Sequence, residues 1–173
     1  MQSKKPQEPI VKPLGSATLA AVHKVLVDRN QGKPLIEKFR VTIHGRDIQT
    51  LREGAWLNDE IINFYLSMIC ERGNSGKDKI KIFAFNSFFY KKLSEAGCKS
   101  VERWAKKGKI DGDKLLHLEY LIVPVHLHNH WTLGVVNLAQ KRLEYYDSLG
   151  GRGTDFYKVR STLSEKFGFL FAK

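Results

Sequence analysis

The chain has 173 residues, of which 42% are hydrophobic and 27% charged, and its formal net charge is +11. This length and composition fit one globular domain and exclude a disordered or fibrous chain, while the positive charge favours either an acidic partner or a solvated basic surface. No apolar run reaches the about 18 residues of a membrane span, and the N-terminus lacks the apolar core of a secretory signal, so neither a membrane span nor secretion is expected.

Residues 1–15 contain three of the five prolines and predict a flexible leader, which leaves 16–173 for the folded part. A helix is predicted next, with Thr18 as its cap and Gly32 just after its end. The apolar residues that would share one face of this helix are Leu19, Val22, Val25 and Leu26.

The strongest helix signal in the chain follows Trp56. Asn58 is the expected N-cap, because its side-chain oxygen can accept a backbone N–H that has no partner inside the helix. Asp59 lies in the first turn, where the helix dipole favours negative charge. The apolar stripe of this helix comprises Ile62, Tyr65, Leu66 and Ile69. Before the helix, apolar alternation over 39–43 predicts a half-exposed strand, and 47–51 reads as a short helical turn.

Strands dominate the centre of the chain. The predicted strands are 82–85, 120–126, 131–138 and 142–146, and the predicted helices are 87–96, 99–107 and one that begins at Thr154 with Phe156, Val159, Leu163 and Phe167 on one face. Gly97 and Gly108 are expected to end the two central helices. A turn at 138–141 should join the last two strands as an antiparallel hairpin. Helices and strands mix without a strand–helix–strand alternation, which favours the α+β class.

The open end of this hairpin holds a candidate pair for catalysis. His130 precedes one strand and Asp147 follows the other, at almost equal distances from the turn. An antiparallel pair therefore brings both side chains to the same end of the ladder. A carboxylate beside an imidazole fixes its tautomer and stabilises the imidazolium, as the base and orienting group of a nucleophilic triad require. The alternative is a His–Asp contact at a strand end with no catalytic role.

The two cysteines suit a reducing compartment and are the candidate nucleophiles. Cys98 lies beside Lys99 at the start of a predicted helix, which favours a reactive thiol, whereas Cys70 lies near a helix C-terminus, where the dipole raises the pKa of a thiol. For Cys98 the more common role is that of a small, half-buried side chain between two helices.

Two further groups of residues are candidates for a site. His126, His128 and His130 alternate and would share a strand face as metal ligands, but the cysteine or carboxylate ligands that usually complete a zinc site are missing nearby, so no metal or cofactor is expected. Trp56 and Trp131 stand at element boundaries, where an aromatic ring can either line a substrate channel or fill the core.

Six segments together resemble the SENP/Ulp family of SUMO-specific cysteine proteases. In family order they are FRVTIHGRDIQTL (39–51), WLNDEIINFYLSMI (56–69), FNSFFYKKL (85–93), VERWAKK (101–107), LIVPVHLHNHWTLGVV (121–136) and LEYYDSLGG (143–151). The resemblance implies a papain-like α+β fold and cysteine-protease chemistry. It also implies that SUMO precursors and SUMO–lysine isopeptide conjugates are the substrates.

Position by position, His130 resembles the family's catalytic base and Asp147 its orienting carboxylate. The positions that resemble substrate contacts are Trp56, Trp131, Asp59, Arg40 and His126, the two tryptophans matching those that clamp the Gly-Gly tail of SUMO. The partners implied are SUMO and SUMO-conjugated proteins, without direct nucleic-acid binding. The resemblance further implies a monomer located in the nucleus.

The nucleophile is where the chain departs from the family. The family's cysteine lies in a Gly-Ser-Asp-Cys-Gly segment several dozen residues beyond the aspartate, and no cysteine follows Cys98 here. The chain is therefore expected to form the N-terminal two-thirds of the catalytic domain, a papain-like fold incomplete at its C-terminus, and to be inactive alone. Two alternatives stay open: a non-catalytic SUMO-binding module, and an enzyme that uses Cys98.

Overall fold

The computed structural model describes residues 12–75, 80–108, 110, 117–127 and 129–158. In chain order the elements are α1 (Ser16–Val27), β1 (Pro34–Lys38), β2 (Val41–His44), α2 (Gly45–Gln49), α3 (Asp59–Ser75), β3 (Ile82–Ala84), α4 (Phe89–Gly108), β4 (Tyr120–Leu127), β5 (His130–Asn137), β6 (Arg142–Tyr146) and α5 (Thr154–Lys158). Among the helices of this described part, none is long and apolar enough to cross a bilayer. The predictions for 1–11 and 159–173 lie outside the described residues.

A four-stranded sheet of order β3-β4-β5-β6 forms the centre of the molecule. β4 and β5 are antiparallel over eight residue pairs, from Tyr120 opposite Asn137 to Leu127 opposite His130. β6 continues the antiparallel order, so the predicted hairpin is confirmed. β3 instead runs parallel to β4 and is linked to it through α4, so the expectation that no strand–helix–strand unit would occur was wrong at this point. The α+β class itself is confirmed.

The hydrophobic core lies on one face of this sheet. α4 and α5 cover that face, and the buried residues between helices and sheet include Phe89, Leu93, Val101, Val123, Val125, Val136 and Phe156. The fit is closest at Gly134 in β5, where a Cβ atom would overlap the ring of Phe156. α5 can therefore approach β5 only because position 134 has no side chain.

α4 consists of two helical arms. Gly97 interrupts them with a φ of 68°, a left-handed conformation that glycine adopts without steric cost. The two central helices of the sequence prediction are thus confirmed, with their ends at Gly97 and Gly108. A strand of three residues, β3, precedes them as predicted.

The N-terminal half departs from prediction in three places. Gly15, not Thr18, occupies the N-cap of α1, and the helix ends at Val27, well before Gly32. β1 was not predicted, because all five of its residues are exposed and no apolar alternation marks it. Phe39 and Arg40 do not belong to a strand.

Phe39 and Arg40 form the turn between β1 and β2. Their φ angles are 58° and 63°, and Lys38 pairs with Val41 across the turn. Two positive φ angles in a two-residue hairpin turn favour asparagine and glycine, so this sequence gave no turn signal. The Phe39 ring packs edge-on against Phe64 of α3 at 5.4 Å between centroids. This tertiary contact accompanies a backbone conformation that the local sequence disfavours.

Candidate active site

His130 and Asp147 meet at the open end of the β5–β6 hairpin, as the sequence predicts. Leu133 pairs with Tyr146, so the residues beyond this pair lie at one end of the ladder. His130 Nε2 and Asp147 Oδ1 are 2.6 Å apart, and the two side chains are 23% and 8% exposed. Because Nε2 faces the carboxylate, the opposite ring nitrogen, Nδ1, is the one that can exchange a proton with a reacting group.

Asp147 is held by its own loop as well as by His130. The Leu149 backbone N–H donates to Oδ1 at 2.8 Å, and a Cβ atom at Gly151 would overlap the carboxylate. The hydrogen bond with His130, followed by that from Leu149, keeps the pKa of Asp147 below its ordinary value of 3.8. The carboxylate is thus ionised and oriented. The parts played by Leu149 and Gly151 were missed in the sequence, because backbone contacts carry no residue signature.

Trp131 lies on the opposite face of the sheet from His130, since neighbouring residues of a strand alternate. Its indole Nε1–H donates to the Leu57 carbonyl at 2.9 Å, across 74 residues of sequence. The His126 ring stacks on the indole at 4.3 Å between centroids, with 26° between the planes. Two neighbours therefore fix the orientation of this indole.

The pairing of β4 with β5 overturns the predicted histidine face. His126 stands opposite Trp131, and Leu127 stands opposite His130, so His126 and His130 lie on different faces of the sheet. The chain reverses direction between them, so the alternation of side chains between the two faces does not continue from β4 into β5. His128 lies outside the described residues. Within the described part of the chain, no three His, Cys, Asp or Glu side chains form a metal-binding group.

The other predicted contact residues lie on neighbouring elements. Trp56 is 65% exposed in the segment before α3, and Asp59 is the first residue of that helix. Asn58 caps α3 as predicted, its Oδ1 accepting the Ile61 N–H at 3.1 Å. The Leu57 carbonyl connects this segment to Trp131. Arg40 lies apart from them, exposed on the β1–β2 turn.

An apolar cavity of about 940 Å³ lies on the Trp131 face of the sheet and reaches Asp147. Its lining includes Leu35, Ile36, Leu57, Ile62, Tyr65, Leu66, Met68, Pro124, Trp131, Leu133, Tyr146 and Asp147. Three residues of the predicted apolar stripe of α3, Ile62, Tyr65 and Leu66, line this cavity rather than a closed core. Only Leu66 of that stripe is buried, and Tyr65 is 59% exposed. The cavity thus presents a large apolar surface that ends at Asp147.

Neither cysteine lies at this site. Cys98 packs against the hydrophobic core, and Cys70 lines a separate depression with Phe83 and Ala84. Burial raises the pKa of the Cys70 thiol, an effect that a hydrogen bond with the Ala84 backbone partly opposes. The sequence also predicts a raised pKa for this thiol, but the cause is burial rather than a helix terminus, because α3 continues to Ser75.

A polar network covers the outer face of the hairpin. The Glu144 carboxylate accepts hydrogen bonds from Tyr146 Oη and Arg142 Nε, both at 2.5 Å, and from Asn137 Nδ2 at 3.0 Å. These bonds lower the pKa of Glu144 to about 2, and the bond from Tyr146 has the largest effect. The same contact raises the pKa of Tyr146 above its ordinary value of 10.0. The network joins β5 to β6 on the face away from the core.

Comparison with known sequences finds one protein family. Residues 55–165 match the Ulp1 protease family, C-terminal catalytic domain. A sentrin-specific protease of Caenorhabditis elegans is 40% identical over 136 residues, which cover 79% of this chain and 19% of that protein. Ubiquitin-like-specific protease ESD4 of Arabidopsis thaliana is 41% identical over 152 residues, 84% of this chain and 31% of the relative. The chain thus spans about a fifth to a third of the length of these relatives.

Solved structures give the same result for the fold. The C-terminal Ulp1 protease domain in complex with Smt3, the yeast ortholog of SUMO, matches with a TM-score of 0.77 and 32% identity over 92% of this chain and 71% of that one. The Ulp1-like SUMO protease catalytic domain of Chaetomium thermophilum matches with a TM-score of 0.83 at 22% identity, over 98% of this chain and 71% of that one, and supports the fold alone.

Proposed function

The chain belongs to the Ulp1 protease family, and we propose that it supplies the acid–base pair and the substrate-binding surface of a SUMO-directed cysteine protease. The observation that carries the proposal is the 2.6 Å contact between His130 and Asp147, next to the half-buried end of β5 where Trp131 lies. The proposed substrates are SUMO precursors and SUMO–lysine conjugates, and the proposed location is the nucleus.

In the proposed reaction, a cysteine thiolate attacks the carbonyl carbon of the last glycine of SUMO. The thiol proton passes to His130 Nδ1, because Nε2 is engaged by Asp147. Asp147 stabilises the imidazolium that forms. His130 then returns the proton to the leaving lysine amine as the C–N bond breaks. Water hydrolyses the resulting thioester, giving a free glycine carboxylate and a restored thiol.

Two indoles are proposed to hold the SUMO tail. Trp131 is fixed by Leu57 and His126, while Trp56 presents an exposed ring from the preceding segment. A peptide that passes between two flat rings must lack Cβ atoms, which explains a requirement for Gly-Gly. Asp59 and Arg40 are proposed to contact the body of SUMO.

The thiol of this reaction is proposed to come from outside these 173 residues. Both cysteines of the chain are described, and neither lines the cavity that reaches Asp147. The apolar cavity supports this proposal, because covering exposed apolar surface such as that of Tyr65 and Met68 with another element lowers the free energy of the protein. Catalysis by Cys98 has no geometric support, since this residue packs against the core on α4.

A binding experiment tests the substrate surface. We expect the purified chain to bind SUMO that ends in Gly-Gly, and replacement of both glycines by alanine to weaken binding by about tenfold or more. Trp131→Ala should cause a similar loss, since a buried tryptophan anchor is typically worth about 2 kcal/mol or more. Trp104→Phe is the matched control, because Trp104 packs near Phe89 on α4. Equal affinity for both SUMO forms would contradict the proposal.

A complementation experiment tests the catalytic role. The chain alone should not hydrolyse a SUMO C-terminal fluorophore. Addition of a segment of yeast Ulp1 that contains its catalytic cysteine should restore hydrolysis in the wild type and in Cys98→Ala, but not in His130→Ala. Hydrolysis by the chain alone that persists in Cys98→Ala would refute the assignment. Tail-dependent binding without restored hydrolysis would instead favour a non-catalytic SUMO-binding module, which the exposed Trp56 also permits.

A further inference from the structure

A buried carboxylate contacts the segment 56–58, which bears Trp56 and binds the indole of Trp131. Asp47 of α2 is only 3% exposed, and both of its oxygens accept hydrogen bonds. Oδ2 accepts the His44 backbone N–H at 2.7 Å, and Oδ1 accepts the Asn58 side-chain amide at 2.9 Å. Because a buried carboxylate without donors is strongly unfavourable, Asp47 holds both of these donors in place.

The segment 56–58 is thereby fixed at two points. Asn58 is tied to Asp47 through its amide nitrogen, while the preceding carbonyl, that of Leu57, accepts the indole N–H of Trp131 at 2.9 Å. Trp56 directly precedes these two residues. A displacement of this short segment would therefore move the exposed Trp56 ring and release the bond that orients Trp131.

We infer that Asp47 is a positioning residue that sets the spacing of Trp56 and Trp131 through Asn58. The inference rests on the proposed function, since it is the Gly-Gly tail that would be held between these rings. Asp47 contacts neither the tail nor the reacting atoms. It acts through one asparagine whose two side-chain atoms have different tasks: Oδ1 caps α3 and Nδ2 binds Asp47.

Those separate tasks allow a clean test. Asn58→Ser keeps an oxygen that can cap α3 but removes the donor to Asp47. Asp47→Asn turns one acceptor into an N–H donor, which then faces the His44 N–H or the Asn58 amide, both of which are donors. Asn63→Ser is the matched control on the same helix, because Asn63 makes two comparable side-chain hydrogen bonds, both with Ser87 and neither with the segment 56–58.

The first measurement is the set of indole ¹H–¹⁵N signals of the three tryptophans, assigned by Trp→Phe variants. In Asn58→Ser and Asp47→Asn, the Trp56 and Trp131 signals should move and the Trp104 signal should stay. In Asn63→Ser all three should stay. This measurement needs no SUMO, so it is independent of the proposed function. Unmoved Trp56 and Trp131 signals would overturn the positioning role.

The second measurement is the Kd for SUMO with and without its two terminal glycines. Asn58→Ser should raise the Kd for the Gly-Gly form by about tenfold, the loss expected for one charge-assisted hydrogen bond, and leave the Kd for the shortened form unchanged. An equal loss for both forms would overturn the inference, since it would indicate general destabilisation. A wild-type chain that binds neither form would refute the proposed function, and the indole signals alone would then decide the role of Asp47.

Discussion

The contact between Gly134 and Phe156 gives the sharpest test of the fold, because α5 and the loop that bears Asp147 depend on it. Phe156 is fully buried, with Tyr145 at 5.5 Å and Tyr90 at 6.0 Å between ring centroids. A methyl group at position 134 would overlap the Phe156 ring. Gly134→Ala should therefore force the ring, and α5 with it, away from β5.

The expected destabilisation follows from two opposing effects. Alanine in a strand gains about 0.5–1 kcal/mol over glycine through backbone entropy. Overpacking of a close-fitted core costs about 1–3 kcal/mol, so the overlap should dominate at Gly134. The melting temperature should fall by roughly 2–10 °C. Phe156→Leu alone should cost about 1–2 kcal/mol, because an aliphatic side chain fills only part of the ring's volume.

The double variant distinguishes overlap from general damage. Leucine at position 156 removes the ring edge that the new methyl group would meet, so the two substitutions should compensate by about 1–2 kcal/mol relative to the sum of the single changes. Urea unfolding followed by tryptophan fluorescence measures all four corners of this cycle. Gly32→Ala is the control, since the nearest atom to its Cβ would be 4.0 Å away. Additivity of Gly134→Ala and Phe156→Leu within about 0.5 kcal/mol would refute the packing argument.

Three further predictions concern the hairpin. Asp147 has a lowered pKa in the folded state, so its stabilising effect is complete above the ordinary pKa of 3.8 and is lost as the pH falls through the lower folded value. Asp147→Asn should therefore reduce the loss of stability in acid, which melting curves measured below and above pH 3.8 would show. Gly151→Ala should displace the Asp147 carboxylate and slow hydrolysis by the complemented enzyme by about a hundredfold, with Gly32→Ala as control; an unchanged rate would contradict this. Glu144→Gln should bring the pKa of Tyr146 back towards 10.0 in an ultraviolet titration, and a pKa that stays raised would show that Glu144 is not the cause.

Local sequence was sufficient where an element is stabilised by its own neighbours. The β5–β6 hairpin combines apolar strands with a turn, so both its existence and the meeting of His130 with Asp147 were predictable. The N-cap of α3 is similarly local, because Asn58 contacts the backbone only three residues away. Gly97 likewise marks the end of a helical arm through its own conformational freedom, with a φ of 68°.

The errors arose where distant contacts decide the structure. Phe39 adopts a positive φ in a turn while its ring packs against Phe64, and no local rule anticipates this for a phenylalanine. β1 is exposed throughout and is defined by its pairing with β2 alone. The contact of Trp131 with Leu57 spans 74 residues and involves a carbonyl group, so residue types could not reveal it.

The alternation of β5 also constrains where the proposed reaction can take place. His130 and Trp131 are neighbours, so the imidazole and the indole project from opposite faces of the same strand end. One peptide can contact both rings only at the end of the sheet where β5 begins, at His130, because the sheet separates the two faces everywhere else. In the proposed reaction, the scissile carbonyl must therefore lie at the end of the sheet where β5 begins. A tail that passes the indole and reaches Nδ1 of His130 within one or two residues has no space for side chains, so the proposed preference for Gly-Gly follows from the geometry of the strand end as well as from the proposed indole clamp.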